Sequence, residues 1–375
     1  MHLNRKTAVF GATMATAALT FSALPVAADG HEAGVPAAPT GYSELDRALA
    51  GEFDGENVSV QVQWNSAELD NFEETVAAFQ AATGIGINIE SIGRNHEVLL
   101  RTRVLGGDPP DLAQIAQPSA VRQYANDGHL VDMTEWLGTE RFNDDFAAVM
   151  DLAKVGDGLY GVPYKVDVKS TVYYPKQAFE AAGYSVPTTW DELIALADQI
   201  VADGNGSPFC ISMEHGAVTG WVGTDWVEDI MLRTAPAEDY QAWIAGELPF
   251  ESEQVKRAFD LAGQIFFTDG YAYGGPTYIN STWVGQTQDP MFEETPQCWM
   301  HKQALWYGPG FWPDVRANEG NADYVTPNTL GDVIDVFYFP PIDEEFGSPA
   351  LGSGDVFMAF DDSDATRAVA QFLAT

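Results

Sequence analysis

From Val58 onward the spacing of apolar residues switches back and forth between two periods, and this alternation narrows the possible folds more than any other feature. Val58-Ser59-Val60-Gln61-Val62-Gln63-Trp64 alternates apolar and polar as a strand does. Phe72, Val76 and Phe79 then recur at helical spacing between Asp70 and Ala82, until Gly84 stops the helix. Ile85 to Ile92 alternates again and His96 to Leu105 is helical. Gly106-Gly107-Asp108-Pro109-Pro110 breaks that helix, and Asp111 to Ala116 is a short apolar run before a further helix from Ser119. Such alternation implies right-handed crossovers and a mostly parallel sheet covered on both faces, an α/β fold.

A chain of 375 residues has room for a second unit of this kind. Leu159-Tyr160-Gly161-Val162-Pro163-Tyr164 interrupts the rhythm, which resumes with a strand at Thr171 to Tyr174 and helices at Pro175 to Ala182 and Thr189 to Ala202. The last opens on Thr189-Trp190-Asp191-Glu192, where the Thr hydroxyl and Glu carboxylate are spaced to cap the first-turn amides reciprocally. A strand at Pro208 to Ser212 and helices at Trp221 to Thr234 and Val255 to Phe267 follow. A strand at Val356 to Phe360 and a helix from Asp364 complete the pattern.

The N-terminus sets the compartment. Arg5 and Lys6 precede an apolar run from Ala8 to Leu24, and Val26-Ala27-Ala28 supplies the small residues that signal peptidase requires. Residues 1–28 therefore read as an export signal cleaved after Ala28. A membrane anchor fits less well, because Thr13, Thr16, Thr20 and Ser22 interrupt the run and no cationic stop follows. Residues 29–50, rich in Ala, Gly and Pro, read as a flexible tether, and the mature chain is expected to be a periplasmic protein without direct membrane insertion. In that oxidising setting Cys210 and Cys298 are expected to form a disulfide, since two ligands are too few for a metal site.

With 55 acidic against 18 basic side chains, the formal net charge of −37 argues against nucleic acid and anionic lipid as partners. The chain has no GxSxG elbow, P-loop or GxGxxG, and its six histidines form no HExxH pair, so no metal or nucleotide cofactor is expected. Paired carboxylates for glycoside hydrolysis remain open, because any two of 55 acids could converge. Tryptophan says more. Trp221, Trp226, Trp243, Trp283, Trp299, Trp306 and Trp312 crowd one stretch, interleaved with Gly, Thr, Asp and His as in Thr219-Gly220-Trp221-Val222-Gly223-Thr224-Asp225-Trp226. Flat indoles for the C–H faces of a sugar, rimmed by groups that bond hydroxyls, suit a neutral polyol. Part of this set is equally readable as core.

Several segments together resemble a known family. They are Trp64-Asn65-Ser66, Gly106-Gly107-Asp108-Pro109-Pro110-Asp111, Leu159 to Tyr164, Val172-Tyr173-Tyr174-Pro175-Lys176, and Val186-Pro187-Thr188-Thr189-Trp190-Asp191-Glu192-Leu193. These resemble the extracellular sugar-binding proteins of bacterial ABC transporters, solute-binding protein family 1, the class that includes maltose-binding protein. Asp167-Val168-Lys169-Ser170, Thr219-Gly220-Trp221, Thr224 to Asp229, Cys298 to Gln303 and Leu351 to Asp355 resemble its α-glucoside-binding branch. The resemblance implies a two-lobed periplasmic-binding-protein-like fold of type II, hinged, with ligand between the lobes. Lobe one would span 51–163 plus 351–375 and lobe two 164–350, with hinges at Tyr160 to Lys165 and Phe339 to Gly352. It also implies further C-terminal helices, absent after Thr375.

On that reading, strand carboxyl ends select Trp64, Asn65, Ser66 and Gln117 in lobe one. In lobe two the candidates are Asp167, Glu214, Trp221, Asp225, Trp226 and Trp299, with His301 and Asp355 near the closing seam. Indoles would stack on sugar, and Asp, Glu, Asn and Gln would bond hydroxyls. Each has a plainer alternative: Trp226 and Asp229 as a buried ring and a helix charge, Asp167 paired with Lys165 or Lys169, His301 as a satisfied core histidine. The expected function is capture of a neutral sugar, an α-glucoside or oligosaccharide, by a monomer that delivers it to ABC permease subunits with their cytoplasmic ATPase. The rivals are a secreted glycoside hydrolase and a binding protein for a polyol or a cationic osmolyte.

Overall fold

The computed structural model describes residues 34–293, 295–308 and 334–375, without the side chains of Ser66 and Ala148. The expected signal peptide, its cut after Ala28 and Trp312 lie outside the described residues. In chain order the strands are β1 (Asn57–Val62), β2 (Gly86–Ser91), β3 (Leu112–Ile115), β4 (Lys154–Val155), β5 (Gly158–Leu159), β6 (Val162–Val168), β7 (Thr171–Tyr174), β8 (Ser207–Phe209), β9 (Cys298–Lys302), β10 (Asp335–Tyr338) and β11 (Gly352–Ala359). They form a five-stranded sheet in the order β2-β1-β3-β11-β6, a four-stranded sheet in the order β10-β7-β9-β8, and a small β4-β5 ribbon.

Each large sheet heads its own apolar core. The first core gathers Val58, Val60, Val62, Phe72, Val76, Phe79, Phe357 and Phe372. The second gathers Phe179, Trp190, Leu193, Phe209, Trp226, Ile230, Ile265 and Phe339. These are the two lobes. In the first, the helix Ser66–Thr83 runs between β1 and β2 and ends where Gly84 adopts φ 75°, a left-handed turn that glycine accepts without steric cost. The polar members of the β1 alternation do not all face water. Gln61 is fully buried, because the sheet is covered on both faces, and its amide bonds the His96 carbonyl and the Arg103 guanidinium.

Four details depart from the sequence reading. The sheet is parallel only over β2, β1 and β3; β11 pairs antiparallel with both β3 and β6, since the chain returns to the first lobe from the second. The supposed tether contains a helix, Ser43–Leu49, whose Leu45 and Ala48 are buried and whose Leu45 amide donates to Gln371 Oε1 at 2.8 Å. That packing onto the helix Asp364–Leu373 makes the segment part of the first core. The expected boundary at 163/164 and hinge at Tyr160 to Lys165 also fail. Tyr164 packs on Trp64, Phe72 and Phe357, and β6 continues in the first sheet to Val168. The crossing falls at Lys169 and Ser170, where the Lys169 amide donates to the Leu351 carbonyl and the Leu351 amide to Ser170 Oγ. Last, Thr189 Oγ1 accepts from the Glu192 amide as a cap should, and the Glu192 carboxylate reaches back beyond the Thr189 amide to accept from the Thr188 amide and hydroxyl as well.

Cys210 and Cys298 are joined, with Cα atoms 5.4 Å apart. The bridge ties the end of β8 to its parallel neighbour β9 across 88 residues of sequence.

Candidate functional site

Between the lobes lies a cleft of about 1100 Å³, counting the part open to solvent. The first lobe supplies Gln63 and Asn65 from the carboxyl end of β1, Glu68 from the following helix, Arg94 and His96 from the turn after β2, and Gln117 from the end of β3. The second supplies His215, Trp221, Trp283 and Trp306. Lys165 and Asp167 come from β6 and Ser353 and Asp355 from β11, adjacent strands of the first sheet, and Lys169 from the crossing that follows β6.

The aromatic wall has a definite shape. Trp221 and Trp306 have ring centroids 6.2 Å apart at 43°, so they form a corner, and Trp221 Nε1 donates to His215 Nδ1 at 3.1 Å. Accepting that bond keeps Nδ1 unprotonated, and burial, reinforced by Arg94, lowers the His215 pKa. On the opposite wall His96 is buried; its Nε2 donates to the Gln114 carbonyl at 2.6 Å while Nδ1 faces the Gln61 amide at 3.4 Å. Burial lowers its pKa to about 4, so it too is neutral. Gln117 presents a buried Oε1 with no hydrogen-bond partner, an acceptor ready for a donor.

The charges are paired. Lys165 Nζ lies 2.5 Å from Glu68 Oε1, 3.5 Å from Asp167 Oδ2 and 3.9 Å from Asp355 Oδ2. Burial alone would lower its pKa, but Glu68, Asp355 and Asp167 outweigh that and raise it. Burial pushes Asp355 up to about 6 despite Lys165. Lys169 Nζ meets Asp225 Oδ1 at 2.6 Å, and Arg94 spans the rim to Glu214 at 3.1 Å. Among the described residues no group of three His, Cys, Asp or Glu side chains is placed to hold a metal ion. The arrangement can offer hydroxyl donors and acceptors beside flat apolar rings; Arg94, Lys165 and Lys169 are each matched to a carboxylate, while acids outnumber them, with Lys165 facing three carboxylates and Glu97 also in the wall.

Of the residues selected from sequence, Asn65, Gln117, Asp167, Trp221 and Asp355 line the cleft. The side chain of Ser66 lies outside the described residues. The others stand behind it or at its edge. Trp64 is buried among Phe72, Tyr164 and Phe357, and its Nε1 donates to Asp355 Oδ2 at 3.0 Å, so it orients a cleft carboxylate. Asp225 is buried beneath Lys169. Trp226 is 1% exposed, edge-on to Phe209, Phe266 and Phe339, and has no face left for a sugar. Trp299 packs on Tyr184 and donates to the Asn205 carbonyl. His301 is a core histidine after all: its Nδ1 bonds the Cys210 carbonyl at 3.0 Å, and burial holds its pKa at about 4. Glu214 is committed to Arg94 and to the Gly216 amide.

Sequence reasoning missed Glu68, Arg94, Lys165, Lys169, His215, Trp283 and Trp306 as wall residues. Trp283 and Trp306 stood in the tryptophan-rich stretch, and only their surroundings distinguish them. Trp226 and Trp299 lie on regular elements that face the core, whereas Trp283 sits just before a short turn and Trp306 in the loop after β9.

Comparison with known proteins adds four results. Residues 63–375 match the model of the bacterial extracellular solute-binding protein family. The chain is 36% identical over 326 residues to the Osmoprotective compounds-binding protein GgtB of Synechocystis sp., covering 87% of this chain and 74% of that one. It is 35% identical over 338 residues to the Alpha-glucosides-binding periplasmic protein AglE of Rhizobium meliloti, covering 86% and 69%. Among solved structures the GacH receptor of Streptomyces glaucescens shares the fold with a TM-score of 0.65 at 14% identity, over 85% of this chain and 76% of that one.

Proposed function

The chain belongs to the bacterial extracellular solute-binding protein family, and from that premise we propose that its cleft captures an intact, uncharged α-glucoside for import by an ABC permease and its ATPase. Relatives of this kind are binding components of transporters for sugars and polyols, not enzymes. The observation that carries the finer reading is the convergence on one cleft of three indoles, Trp221, Trp283 and Trp306, with hydroxyl-bonding groups and with cations that are all matched to carboxylates. An anionic ligand would find no uncommitted cation, and a phosphate no arginine fork. A sugar ring can lay its C–H face on Trp221 while Asn65, Gln117, Asp167 and Asp355 bond its hydroxyls. The relative named for α-glucosides supports the linkage class, and the one named for osmoprotective compounds keeps polyols in the test panel.

Recovery of the sugar separates capture from hydrolysis. Purified protein incubated with maltose, trehalose, sucrose and sorbitol should show a saturable thermal shift with at least one of the glucosides. The sugar should be recovered intact by chromatography; release of glucose would make the protein a hydrolase.

A further inference from the structure

The aromatic corner carries a second property. Two indoles at an angle with a carboxylate behind them are the chemistry that recognises a quaternary ammonium. In this protein that seat is taken. Lys169 Nζ lies 5.8 Å from the Trp221 ring centroid and is held by Asp225. Lys165 Nζ lies 5.6 Å from the Trp306 centroid and is held by Glu68. The third indole repeats the pattern, with the Arg94 guanidinium 5.9 Å from the Trp283 centroid and paired to Glu214. All three cations are within or at the edge of cation–π reach.

We propose that Lys169, positioned by Asp225, fills the place a cationic solute would take and so sets the selectivity of the cleft for uncharged ligands. This rests on reading the cleft as the solute site. Two features make Lys169 a fixed occupant. Its side chain is only 19% exposed and that of Asp225 only 9%, so the pair is not free to swing into water. Behind it Lys302 Nζ donates to the Lys169 carbonyl at 3.2 Å and to the Asp225 carbonyl at 3.3 Å, which pins the backbone of both. An incoming ammonium would therefore meet a like charge at the ring it needs, with the carboxylate already used. A sugar hydroxyl has no such conflict and can accept a hydrogen bond from the same ammonium.

The inference is tested without any sugar, so its outcome is separate from that of the α-glucoside reading. Tetramethylammonium chloride is titrated into wild type, K169M and K169M/D225N, against NaCl at equal ionic strength, by calorimetry and thermal shift. Removing the lysine leaves the Asp225 carboxylate beside Trp221. K169M should bind tetramethylammonium at least about tenfold more tightly than wild type, and the cation should raise its melting temperature where NaCl does not. K169M/D225N, which lacks the carboxylate, should lose that gain. If K169M does not fold, K169Q keeps a hydrogen bond to Asp225 without the charge and should show the same gain. Equal responses of the wild type and the lysine variant, or a gain that survives D225N, would overturn the proposal.

Discussion

The two walls of the cleft are built on different principles. The first lobe presents amides and carboxylates, Gln63, Asn65, Glu68 and Gln117, held on a sheet whose support is aromatic: Trp64, Phe72, Tyr164 and Phe357 form one cluster of stacked and edge-on rings beneath Asp355. The second presents indoles, and its support is charged. Asp229, completely buried, receives Arg233, Lys302 Nζ at 3.0 Å and Ser170 Oγ at 2.8 Å; Arg233 in turn donates to the Phe339 and Pro340 carbonyls. Polar surface on an apolar base faces apolar surface on an ionic base. The lesson is that a residue type a sequence reader selects for its chemistry, Trp for stacking or Asp for hydroxyls, forms the wall of one lobe and stands behind the wall of the other, as Trp64 does in the first lobe and Asp225 and Asp229 do in the second.

The sharpest way to break this contrast is Asp229→Ala. It leaves Arg233 and Lys302 buried without their carboxylate, a loss of about 3–5 kcal/mol that urea unfolding should register. Serine at both Cys210 and Cys298 comes next. Opening an 88-residue separation should cost about 4 kcal/mol in the chain-entropy picture, and an equal loss should follow from reduction of the wild type.

His301 and His96 offer a matched pair across the lobes. Burial lowers both from 6.5 to about 4. A depressed folded-state value means the stability is fully present above pH 6.5 and is lost as pH falls through 6.5 toward 4, up to about 3 kcal/mol for each. Asp355, raised to about 6, and Glu228, raised to about 7, act oppositely: their contribution is present below the ordinary carboxylate range and is lost as pH rises through those values. His301→Asn should therefore lose less melting temperature between pH 7.5 and 5 than wild type does. An unchanged difference would show that His301 does not carry the acid sensitivity of the second lobe. At the walls themselves Trp221→Ala should weaken glucoside binding by about 2 kcal/mol and Asn65→Ala by about 1 kcal/mol, measured by calorimetry.

Much of the fold was legible because it rests on local periodicity. The helix Trp190–Ala202 and the strand Thr171–Tyr174 fell where spacing placed them. The helix Ser43–Leu49 did not, because its Ala- and Pro-rich surroundings resemble a linker and its buried face packs on residues distant in sequence, among them the helix that carries Gln371. Antiparallel β11 was hidden for a similar reason, since direction is decided by where the chain re-enters the first sheet. The site was less legible. Asn65 and Gln117 lie at the cleft wall as expected of strand ends in an open α/β sheet. Trp226 and Trp299 were misplaced because spacing cannot tell which face of an element meets the cleft. Lys165 and Lys169 were read only as partners for Asp167, because an acidic, sugar-like pattern gave no reason to seek cations at the wall, yet they hold the carboxylates in place.

The most direct measurement is calorimetric titration of the wild type and Trp221→Ala with maltose, trehalose and sucrose, followed by recovery of the sugar. One-to-one saturable binding of at least one of these by the wild type, at least tenfold weaker in the variant, with the disaccharide returned intact, is the expected result. Failure of all three to bind, equal binding by the variant, or release of monosaccharide would contradict capture of an α-glucoside against the aromatic wall.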